Sequence, residues 1–385
     1  MEILDLNLKK VVQVYQTNPF EDSQGGGVRY IKNLLSGIKN DFSDILFIGV
    51  GAKHKKKDNI ELLPITKHVS GYIKFLFLLI LKLPFIDLSK YNIVHVHRLY
   101  FAIPFILLKP KLKIVCTLHG RTFSVFESNH SSLKLNLIKP FFKMVERFSI
   151  KNIDYLVPVS QDVINNFNNK YSDFEDNKIE IIGSMLDLNQ FYIFDSDYLQ
   201  AKYGVKNRYI LFIGRLSDVK DLDFLIGLWS ARFQNKNNIK LVVAGSGESE
   251  DQILGLISQV CKINAPILLG EVGPKNIPKL ISSSTITILS SKHEASPTVV
   301  KESLSCGIAM ITNQIGDVDK YIVNGKNGYI VKKDYDSYFS AINNLLDNPL
   351  SKEQVLMNSE VQLEKCSISY VANEYNNIYR KVLND

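Results

Sequence analysis

The sequence lacks a cysteine pair, a long hydrophobic run and an N-terminal basic segment followed by an apolar one. Its four cysteines are scattered without a CxxC pair (Cys116, Cys261, Cys306 and Cys366), which favours reduced thiols and a cytosolic location. The longest apolar run, Phe75–Leu81, is far too short to cross a bilayer. Because the first ten residues show no signal-peptide pattern, we expect a cytoplasmic protein without a membrane-spanning helix.

The chain also lacks internal repeats, low-complexity tracts and nucleic-acid-recognition motifs. Its charge is nevertheless uneven. Residues 1–190 hold 25 lysines and arginines against 18 acidic residues, whereas the remainder holds 21 of each, so the whole net charge of +7 lies in the first half. Since no stacking aromatics accompany these lysines, we predict no nucleic acid but an anionic membrane surface or a phosphate-bearing substrate as partner. A solvated basic face that only aids solubility is the alternative.

Two series of short apolar runs alternate with amphipathic stretches along the chain. The first series is KKVVQVYQ, DILFIGV, YNIVHVHR, KIVCTLHG and YLVPVS, and the second is RYILFIGR, IKLVVAGSG, APILLGEV, TITILSS and AMITNQ. This alternation predicts parallel sheets that are covered on both faces by helices. We therefore expect an α/β protein of two Rossmann-like, doubly wound domains facing across a cleft, with ligands at the carboxyl ends of the strands.

The length of 385 residues is comfortable for two such domains. We predict a first domain at residues 1–190, a linker at 191–208 and a second domain at 209–365. The remaining residues, 366–385, are predicted to form a C-terminal helix that packs back on the first domain.

The stretch HEASPTVVKE, His293–Glu302, follows a predicted strand and opens a predicted helix. We predict Ser296 as the helix N-cap and Pro297 as the first helical residue, since these residue types are preferred there. The free backbone N–H groups from about Thr298 and Val299, together with the helix dipole, then make an anion site that suits a phosphate.

Two carboxylates belong to this stretch. Glu294 would lie beside the phosphate and Glu302 one to two turns deeper, within reach of a vicinal diol, so the pair suits a nucleotide sugar. The alternative is an ordinary capped helix with two surface glutamates. The segment FIGRLSDVKDLDFLI favours the nucleotide sugar, because its Arg215 and Lys220 follow another strand and suit a diphosphate. The glycines of GGGVRY would likewise let backbone approach a ligand after the first strand.

These segments together resemble the GT-B glycosyltransferases of the large retaining family four. HEASPTVVKESLSCGIAMI is similar to that family's E-x7-E segment, IGRLSDVKDL to its Arg/Lys loop and GDVDKYIVNGKNGYIV to the segment that follows. GGGVRY, YNIVHVHR, TLHG and VPVSQDV resemble its N-terminal landmarks in order, so the resemblance covers nearly the full length. The chain departs from the family at Ser184 and Met185, where Asn-Gly is frequent, and at Lys320, where Glu is common.

The resemblance implies a role for each matching residue. Glu294 would contact the transferred sugar, Glu302 the ribose, and Arg215 with Lys220 the diphosphate, while His119 of TLHG would lie at the reaction centre. The candidate catalytic residues are therefore His119, Glu294, Arg215 and Lys220. The candidate donor-binding residues are Gly26, Gly27, Arg215, Lys220, Glu294, Ser296, Pro297, Thr298, Val299 and Glu302.

Two histidines and an arginine of the first domain are candidates for the acceptor side. His95, His97 and Arg98 lie at the end of a predicted strand, and we expect them to line the cleft. A zinc site at His95, His97 and His119 is a less favoured alternative, because no cysteine or carboxylate is patterned with them. The four DxD matches do not follow strands as they do in metal-dependent transferases, so we expect neither a metal nor another cofactor.

We predict a retaining, hexosyltransferase-type enzyme that moves a sugar from a nucleoside diphosphate donor, such as a UDP-sugar, to a hydroxyl acceptor. The basic first half favours a lipid-linked saccharide acceptor at the cytosolic face of the membrane, as in surface polysaccharide assembly. A nucleotide-sugar epimerase of the same fold and a catalytically silent sugar-nucleotide-binding protein are the alternatives. The joint presence of His119, Glu294, Arg215 and Lys220 argues against the silent protein.

Overall fold

The computed structural model describes residues 10–21, 25–69, 71–120, 140, 144–168, 176–206, 208–236 and 238–384. Most of the N-terminal stretch that was searched for a signal peptide, residues 1–9, therefore lies outside the described residues. The chain forms two compact units. Unit 1 comprises Met1–Met185 and Ile368–Asp385, and unit 2 comprises Leu186–Ser367.

The described residues of unit 1 form one seven-stranded sheet. Its strands are β1 (Lys10–Val14), β2 (Asp44–Val50), β3 (Lys55–Lys57), β4 (Ile60–Thr66), β5 (Ile93–Val96), β6 (Lys113–Leu118) and β7 (Tyr155–Pro158). Their order in the sheet is β3-β4-β2-β1-β5-β6-β7, and all neighbours are parallel except the antiparallel edge strand β3.

Unit 2 is built on a six-stranded, wholly parallel sheet. Its strands are β8 (Arg208–Ile213), β9 (Ile239–Ala244), β10 (Ile267–Gly270), β11 (Ile286–Leu289), β12 (Met310–Asn313) and β13 (Gly328–Val331). Their order is β10-β9-β8-β11-β12-β13. Central strands such as β9 and β11 consist mainly of Ile, Leu and Val and are buried along nearly their whole length, as parallel strands covered on both faces require.

Helices connect the strands of both sheets. They are α1 (Gly26–Ile38), α2 (Tyr72–Lys82), α3 (Ile103–Leu108), α4 (Gln161–Asn168), α5 (Tyr198–Tyr203), α6 (Leu222–Phe233), α7 (Glu250–Val260), α8 (Ile277–Ser282), α9 (Thr298–Ser305), α10 (Tyr335–Asp347), α11 (Lys352–Met357), α12 (Glu360–Glu364) and α13 (Ile368–Asn384), besides a helical stretch at residues 144–151. The prediction of two Rossmann-like, doubly wound domains with parallel sheets is confirmed.

The segment predicted as a linker, residues 191–208, is instead part of unit 2. Phe191 and Leu199 are buried in the hydrophobic core of that unit. The Ser305 hydroxyl donates a hydrogen bond to the Phe191 carbonyl, and the Phe194 N–H donates one to the Ser282 hydroxyl at 3.1 Å. The linker prediction was wrong because the apolar side chains of this polar segment pack inward on neighbouring helices.

The C-terminal helix α13 belongs to unit 1, where it packs against α1. Its Tyr375 and Tyr379 are completely buried, whereas Tyr370 is exposed.

All four cysteines are buried and unpaired. No helix in the described part of the chain is both long enough and apolar enough to cross a membrane.

Candidate active site

The loops after the adjacent strands β8 and β11 are hydrogen bonded to each other at the carboxyl edge of the unit 2 sheet. The Ser290 hydroxyl donates to the Lys220 carbonyl at 3.1 Å, and the Lys292 N–H donates to the Val219 carbonyl at 2.8 Å. Parallel neighbours end at the same edge, so the two loops meet where an open α/β sheet binds its ligands. These bonds hold the segment around Lys220 beside the segment around Glu294.

Glu294 is the centre of the side-chain contacts at this edge. Its Oε1 accepts hydrogen bonds from Lys220 Nζ and from the Ser291 hydroxyl, the latter at 2.8 Å. The Lys220 and Glu294 side chains are 20% and 16% exposed, so a ligand can reach the pair while the surrounding protein limits solvent screening. The structure thus brings together two predicted residues and adds Ser291, which no motif in the sequence singles out.

Arg215 lies just beyond β8, separated from it by Gly214, but it does not share a partner with Lys220. Its Nε donates to Glu248 Oε2 at 2.9 Å, and both side chains are largely exposed. Gly245 permits this approach of the two loops: its φ is +144°, and a Cβ there would lie 1.9 Å from the Gly214 carbonyl oxygen. An exposed ion pair is worth at most about 1 kcal/mol, so an anionic ligand can displace Glu248 from Arg215.

Helix α9 begins one residue later than predicted. Pro297 is its N-cap, no side chain caps it, and Thr298 is its first residue. The Ser296 hydroxyl instead donates to Asp317 Oδ2 at 2.7 Å and accepts from Lys301 Nζ at 2.8 Å. The prediction of Ser296 as N-cap and Pro297 as first helical residue is therefore wrong, because a buried carboxylate binds the serine hydroxyl. The first N–H groups of α9 have no side-chain cap and suit an anion.

Lys301 and Asp317 form a buried ion pair next to the start of α9. Lys301 is 0% and Asp317 3% exposed, their Nζ and Oδ2 are 3.8 Å apart, and Lys301 Nζ lies 4.6 Å from the centroid of the Tyr321 ring. Burial lowers the pKa of Lys301, and Asp317 opposes that shift. The backbone of Gly316, at φ +54°, packs closely against the loop that contains Glu294. A Cβ at position 316 would lie only 2.6 Å from the Ala295 carbonyl oxygen. Lys301 and Asp317 thus support the loop of Glu294, because both bind the Ser296 hydroxyl.

Glu302 lies just over one turn into α9 and is 3% exposed. Val299, at the start of the same helix, is also buried. With Glu294 partly buried as well, the alternative of an ordinary helix with two surface glutamates is wrong. A carboxylate as buried as Glu302 is kept only where polar partners compensate its lost hydration.

The carboxyl ends of β1, β5 and β6 in unit 1 bear a connected set of polar side chains. Gln13 lies directly opposite His95 in the sheet register, and alternate residues of a strand face the same side. Gln13 Oε1 lies 2.9 Å from His97 Nε2, and His97 Nδ1 lies 3.1 Å from His119 Nε2. Gln13 Nε2 donates to the Tyr379 hydroxyl at 3.0 Å. Helix α13 therefore contributes directly to this set, a role that the sequence reasoning did not foresee.

A second branch starts at His95. Its Nδ1 lies 2.7 Å from the Tyr379 hydroxyl and its Nε2 2.7 Å from the Thr117 hydroxyl. Thr117 is 2.8 Å from the Tyr375 hydroxyl, which is 2.7 Å from the Tyr30 hydroxyl. Burial lowers the pKa of His95 to about 3, so its imidazole is neutral at physiological pH.

These contacts correct the predicted acceptor-side roles of His95 and His97. Both are buried, and both ring nitrogens of each already have protein partners, so neither can contact an acceptor. In the described part of the chain no three His, Cys, Asp or Glu residues are placed to share a metal ion. His119 is partly exposed, and burial, followed by the charge of Arg98, lowers its pKa to about 3.

Arg98 stacks on aromatic rings beside this set. Its guanidinium carbon is 3.9 Å from the centroid of Tyr72 and 5.7 Å from that of Tyr15. Its Nε is buried without a hydrogen-bond partner, and no carboxylate among the described residues pairs with it.

Gly26 and Gly27 are the first residues of α1, whose N-cap Gly25 supplies no side chain. Unit 1 therefore offers a partly buried cation and an uncapped helix start.

Two protein-family models match the chain, one over each half. Residues 24–190 match the model described as Glycosyltransferase Family 4, and residues 195–361 match the model described as Glycosyl transferases group 1. The first match contains His97, Arg98 and His119, and the second contains Lys220 and Glu294. Together they cover most of the chain, which therefore belongs to the GT-B glycosyltransferases of the family-four, group 1 type.

Individual relatives agree with this assignment. An uncharacterized glycosyltransferase of Methanocaldococcus jannaschii is 28% identical over 173 residues, 44% of this chain and 44% of that protein. The UDP-Gal:alpha-D-GlcNAc-diphosphoundecaprenol alpha-1,3-galactosyltransferase of Escherichia coli is 25% identical over 271 residues, 68% of this chain and 67% of that enzyme. For several curated relatives the match spans only about half of their length.

The fold also matches solved structures over its full length. Sucrose-phosphate synthase of Thermosynechococcus elongatus superimposes with a TM-score of 0.80 and 14% identity, covering 98% of this chain and 99% of that one. At such low identity the likeness shows the fold alone.

Proposed function

We propose that the protein is a retaining glycosyltransferase that transfers a sugar from a nucleoside diphosphate donor to a hydroxyl acceptor. The proposal rests mainly on the contact of Lys220 with Glu294 near the uncapped start of α9. A lysine ammonium has three N–H donors, so Lys220 can bind Glu294 and a phosphate at once. Glu294 is then positioned to accept hydrogen bonds from sugar hydroxyls.

The proposed reaction needs no protein nucleophile. The bond between the anomeric carbon and the diphosphate oxygen breaks, and negative charge builds on the leaving diphosphate. Lys220, Arg215 and the α9 N–H groups stabilise that charge more in the transition state than in the ground state. The acceptor hydroxyl forms the new bond on the face that the diphosphate leaves, and its proton passes to the departing phosphate oxygen.

Substrate classes follow from the relatives and from Arg98. The galactosyltransferase of Escherichia coli is named for a UDP-Gal donor and a diphosphoundecaprenol-linked acceptor. We extend this to a UDP-sugar donor and a lipid-linked saccharide acceptor here. Arg98 supports an anionic acceptor, because its partly buried guanidinium has no carboxylate partner among the described residues and planar guanidinium groups suit phosphates.

Thermal unfolding with UDP, GDP, ADP and their sugars identifies the donor, because a ligand that binds only the folded state raises the unfolding temperature. The donor is then labelled in its sugar and incubated with and without a lipid-diphosphate saccharide. We expect label in the acceptor only when both substrates are present. Conversion of the donor to its epimer without acceptor would identify an epimerase, and binding without any turnover a silent protein.

Transfer should also be independent of divalent metal. Lys220, Arg215 and the start of α9 supply the positive charge that a metal ion would otherwise provide. We expect the initial rate in excess EDTA to equal that in Mg²⁺ or Mn²⁺. Complete loss of activity in EDTA and its return with Mn²⁺ would refute this prediction.

Unit 1 has an exposed apolar surface that suits attachment to a membrane. Phe75 and Leu79 of α2 are completely buried, but the opposite side of the helix is open. The α2 patch consists of Ile73, Phe77, Leu81 and Phe85, which are 62%, 59%, 50% and 89% exposed. The exposed lysines of β3 add positive charge to unit 1, although lysines on an edge strand also prevent strand pairing. We propose that the α2 patch contacts an anionic membrane surface.

Vesicle co-sedimentation tests this contact. The wild-type protein should bind phosphatidylserine-containing vesicles, and salt should weaken the binding, since each lysine near the surface contributes about 1 kcal/mol. Phe77→Ser with Phe85→Ser should reduce binding strongly, whereas Met357→Ser, which removes an equally exposed apolar residue from unit 2, should not. Equal binding to neutral vesicles, or wild-type binding by the double variant, would count against the proposal.

A further inference from the structure

We propose that Gln13 is a positioning residue that fixes the tautomer of His119 through His97. Helix α13 takes part, because Tyr379 holds the Gln13 amide in place. The inference depends on four side chains that form a continuous hydrogen-bonded line: Tyr379, Gln13, His97 and His119. It extends the proposed function, since His119 is a candidate catalytic residue, but its first test requires no substrate.

The direction of each bond follows from the donor and acceptor capacity of each group. The Gln13 amide nitrogen faces Tyr379 and its oxygen faces His97. An amide oxygen can only accept, so His97 must carry its proton on Nε2. A neutral His97 then has a lone pair on Nδ1, and His119 must donate its Nε2–H to that lone pair. The remaining nitrogen, His119 Nδ1, is consequently unprotonated.

The second contact of Tyr379 agrees with this direction. Its hydroxyl oxygen accepts from Gln13 Nε2, which leaves its proton for His95 Nδ1 at 2.7 Å. His95 must then carry its own proton on Nε2, where the Thr117 hydroxyl accepts at 2.7 Å. Each ring nitrogen of His95 thus has a complementary partner, and the Gln13 amide is held from both ends.

These proton positions require neutral imidazoles, and the surroundings of the rings keep them neutral. His97 is 1% exposed, and burying a charged imidazole without a counter-ion is costly. The groups that face His97 and His119 across the ring contacts are His95, Tyr15 and Tyr30, with the cationic Arg98 acting on His119. None of these is a carboxylate. Burial and the neighbouring imidazoles hold the pKa of His97 well below its usual range.

Both ring nitrogens of His95 and His97 and the Nε2 of His119 have hydrogen-bond partners. No described residue forms a hydrogen bond with His119 Nδ1. His119 is partly exposed, so this nitrogen can meet a ligand. A lone pair accepts from a hydroxyl but repels a phosphate oxygen. We therefore assign His119 to a hydroxyl group of the sugar or of the acceptor, and not to the diphosphate.

Nitrogen NMR of the full-length protein labelled with ¹⁵N-histidine tests the tautomer directly. The His119 signals are those that disappear in His119→Asn. We expect a protonated Nε2 and an unprotonated Nδ1 at the limiting shifts of one tautomer, unchanged between pH 8 and pH 5. A protonated Nδ1, an average of two tautomers, or ordinary titration near pH 6.5 would overturn the inference.

Variants of Gln13 separate positioning from simple structural support. Gln13→Leu removes the amide, so the His119 signals should move to the average of two tautomers. Gln13→Glu keeps an oxygen acceptor for His97 Nε2–H and should restore the single tautomer, while the new carboxylate makes His97 titrate. Thr117→Val is the matched control, because it breaks the His95 branch but leaves the Gln13–His97 contact intact. A single tautomer in Gln13→Leu would refute the role of Gln13.

Kinetics give the second measurement. Gln13→Leu should lower kcat about tenfold, the equivalent of one hydrogen bond, with little change in KM for the donor. Gln13→Glu should recover the rate at high pH and lose it as His97 becomes protonated. If no transfer is found but the wild-type NMR shows one tautomer that is lost in Gln13→Leu, the proposed function has failed and this inference stands. If transfer occurs but the tautomer is not fixed, only this inference fails.

Discussion

Glu294→Ala is expected to lower kcat about a thousandfold while the affinity for the free nucleoside diphosphate stays the same or rises slightly. We assign Glu294 to the transferred sugar, which the free diphosphate lacks. The structure adds that Glu294 binds Lys220, so its removal leaves Lys220 fully available to the diphosphate. Each charged hydrogen bond lost in the transition state costs about 1.5–3 kcal/mol, roughly ten- to a hundredfold in kcat, and two such bonds give a loss of about a thousandfold.

Glu302 provides the contrasting variant. We assign this carboxylate to the ribose, which the free diphosphate retains, so its loss should weaken diphosphate binding about ten- to a hundredfold. Because Glu302 is only 3% exposed, Glu302→Gln is preferable to alanine, since it keeps the volume of the side chain. Arg215→Ala should weaken both binding and turnover, because the diphosphate is bound in the ground state and gains charge in the transition state.

Calorimetry with the free diphosphate and a turnover assay decide between these assignments. Ser291→Ala is a useful intermediate case, because it removes one donor to Glu294 and leaves Lys220 in place. If Glu294→Ala weakened the free diphosphate as much as Glu302→Gln, the division into a sugar-side and a ribose-side carboxylate would be wrong.

The central strands could be predicted because buried parallel strands are short apolar runs, and β2 was predicted at its exact bounds, Asp44–Val50. Strands β3 and β4 were missed for physical reasons. β3 is three exposed lysines, so no hydrophobic pattern marks it. β4 contains Pro64, and a proline argues against a strand because it lacks an N–H donor. The structure tolerates Pro64 because β3 pairs with β4 only as far as Leu62, so no neighbouring strand among the described residues lies against the β3 side of β4 at the proline.

The site was predictable where charged side chains lie in the loops that follow strands. Lys220 and Glu294 follow β8 and β11, and the parallel sheet brings them together. Ser296 shows the limit of local reasoning: its N-cap propensity was sound, but Asp317, 21 positions further along the chain, binds its hydroxyl. The contacts of Gln13 with Tyr379, 366 positions apart, likewise leave no local signal.

The ion pair of Lys301 with Asp317 is expected to have the largest effect on stability. Lys301→Met leaves a buried carboxylate, and Asp317→Asn leaves a buried ammonium group. Removing one partner of a buried pair typically costs about 3–5 kcal/mol, whereas replacing both often costs little. Each single variant should therefore lower the unfolding temperature of unit 2 by about 10 °C, and the double variant should recover most of that loss.

Calorimetric unfolding of the single and double variants measures this coupling. The exposed pair Arg232–Asp336 is the control, because solvent screens it and its loss should cost less than about 1 kcal/mol. The Lys301→Met variant should also bind the free diphosphate more weakly, since Ser296 and the loop of Glu294 lose a support. Additive losses in the double variant, or single losses no larger than those of the control pair, would show that Lys301 and Asp317 do not stabilise unit 2 as a pair.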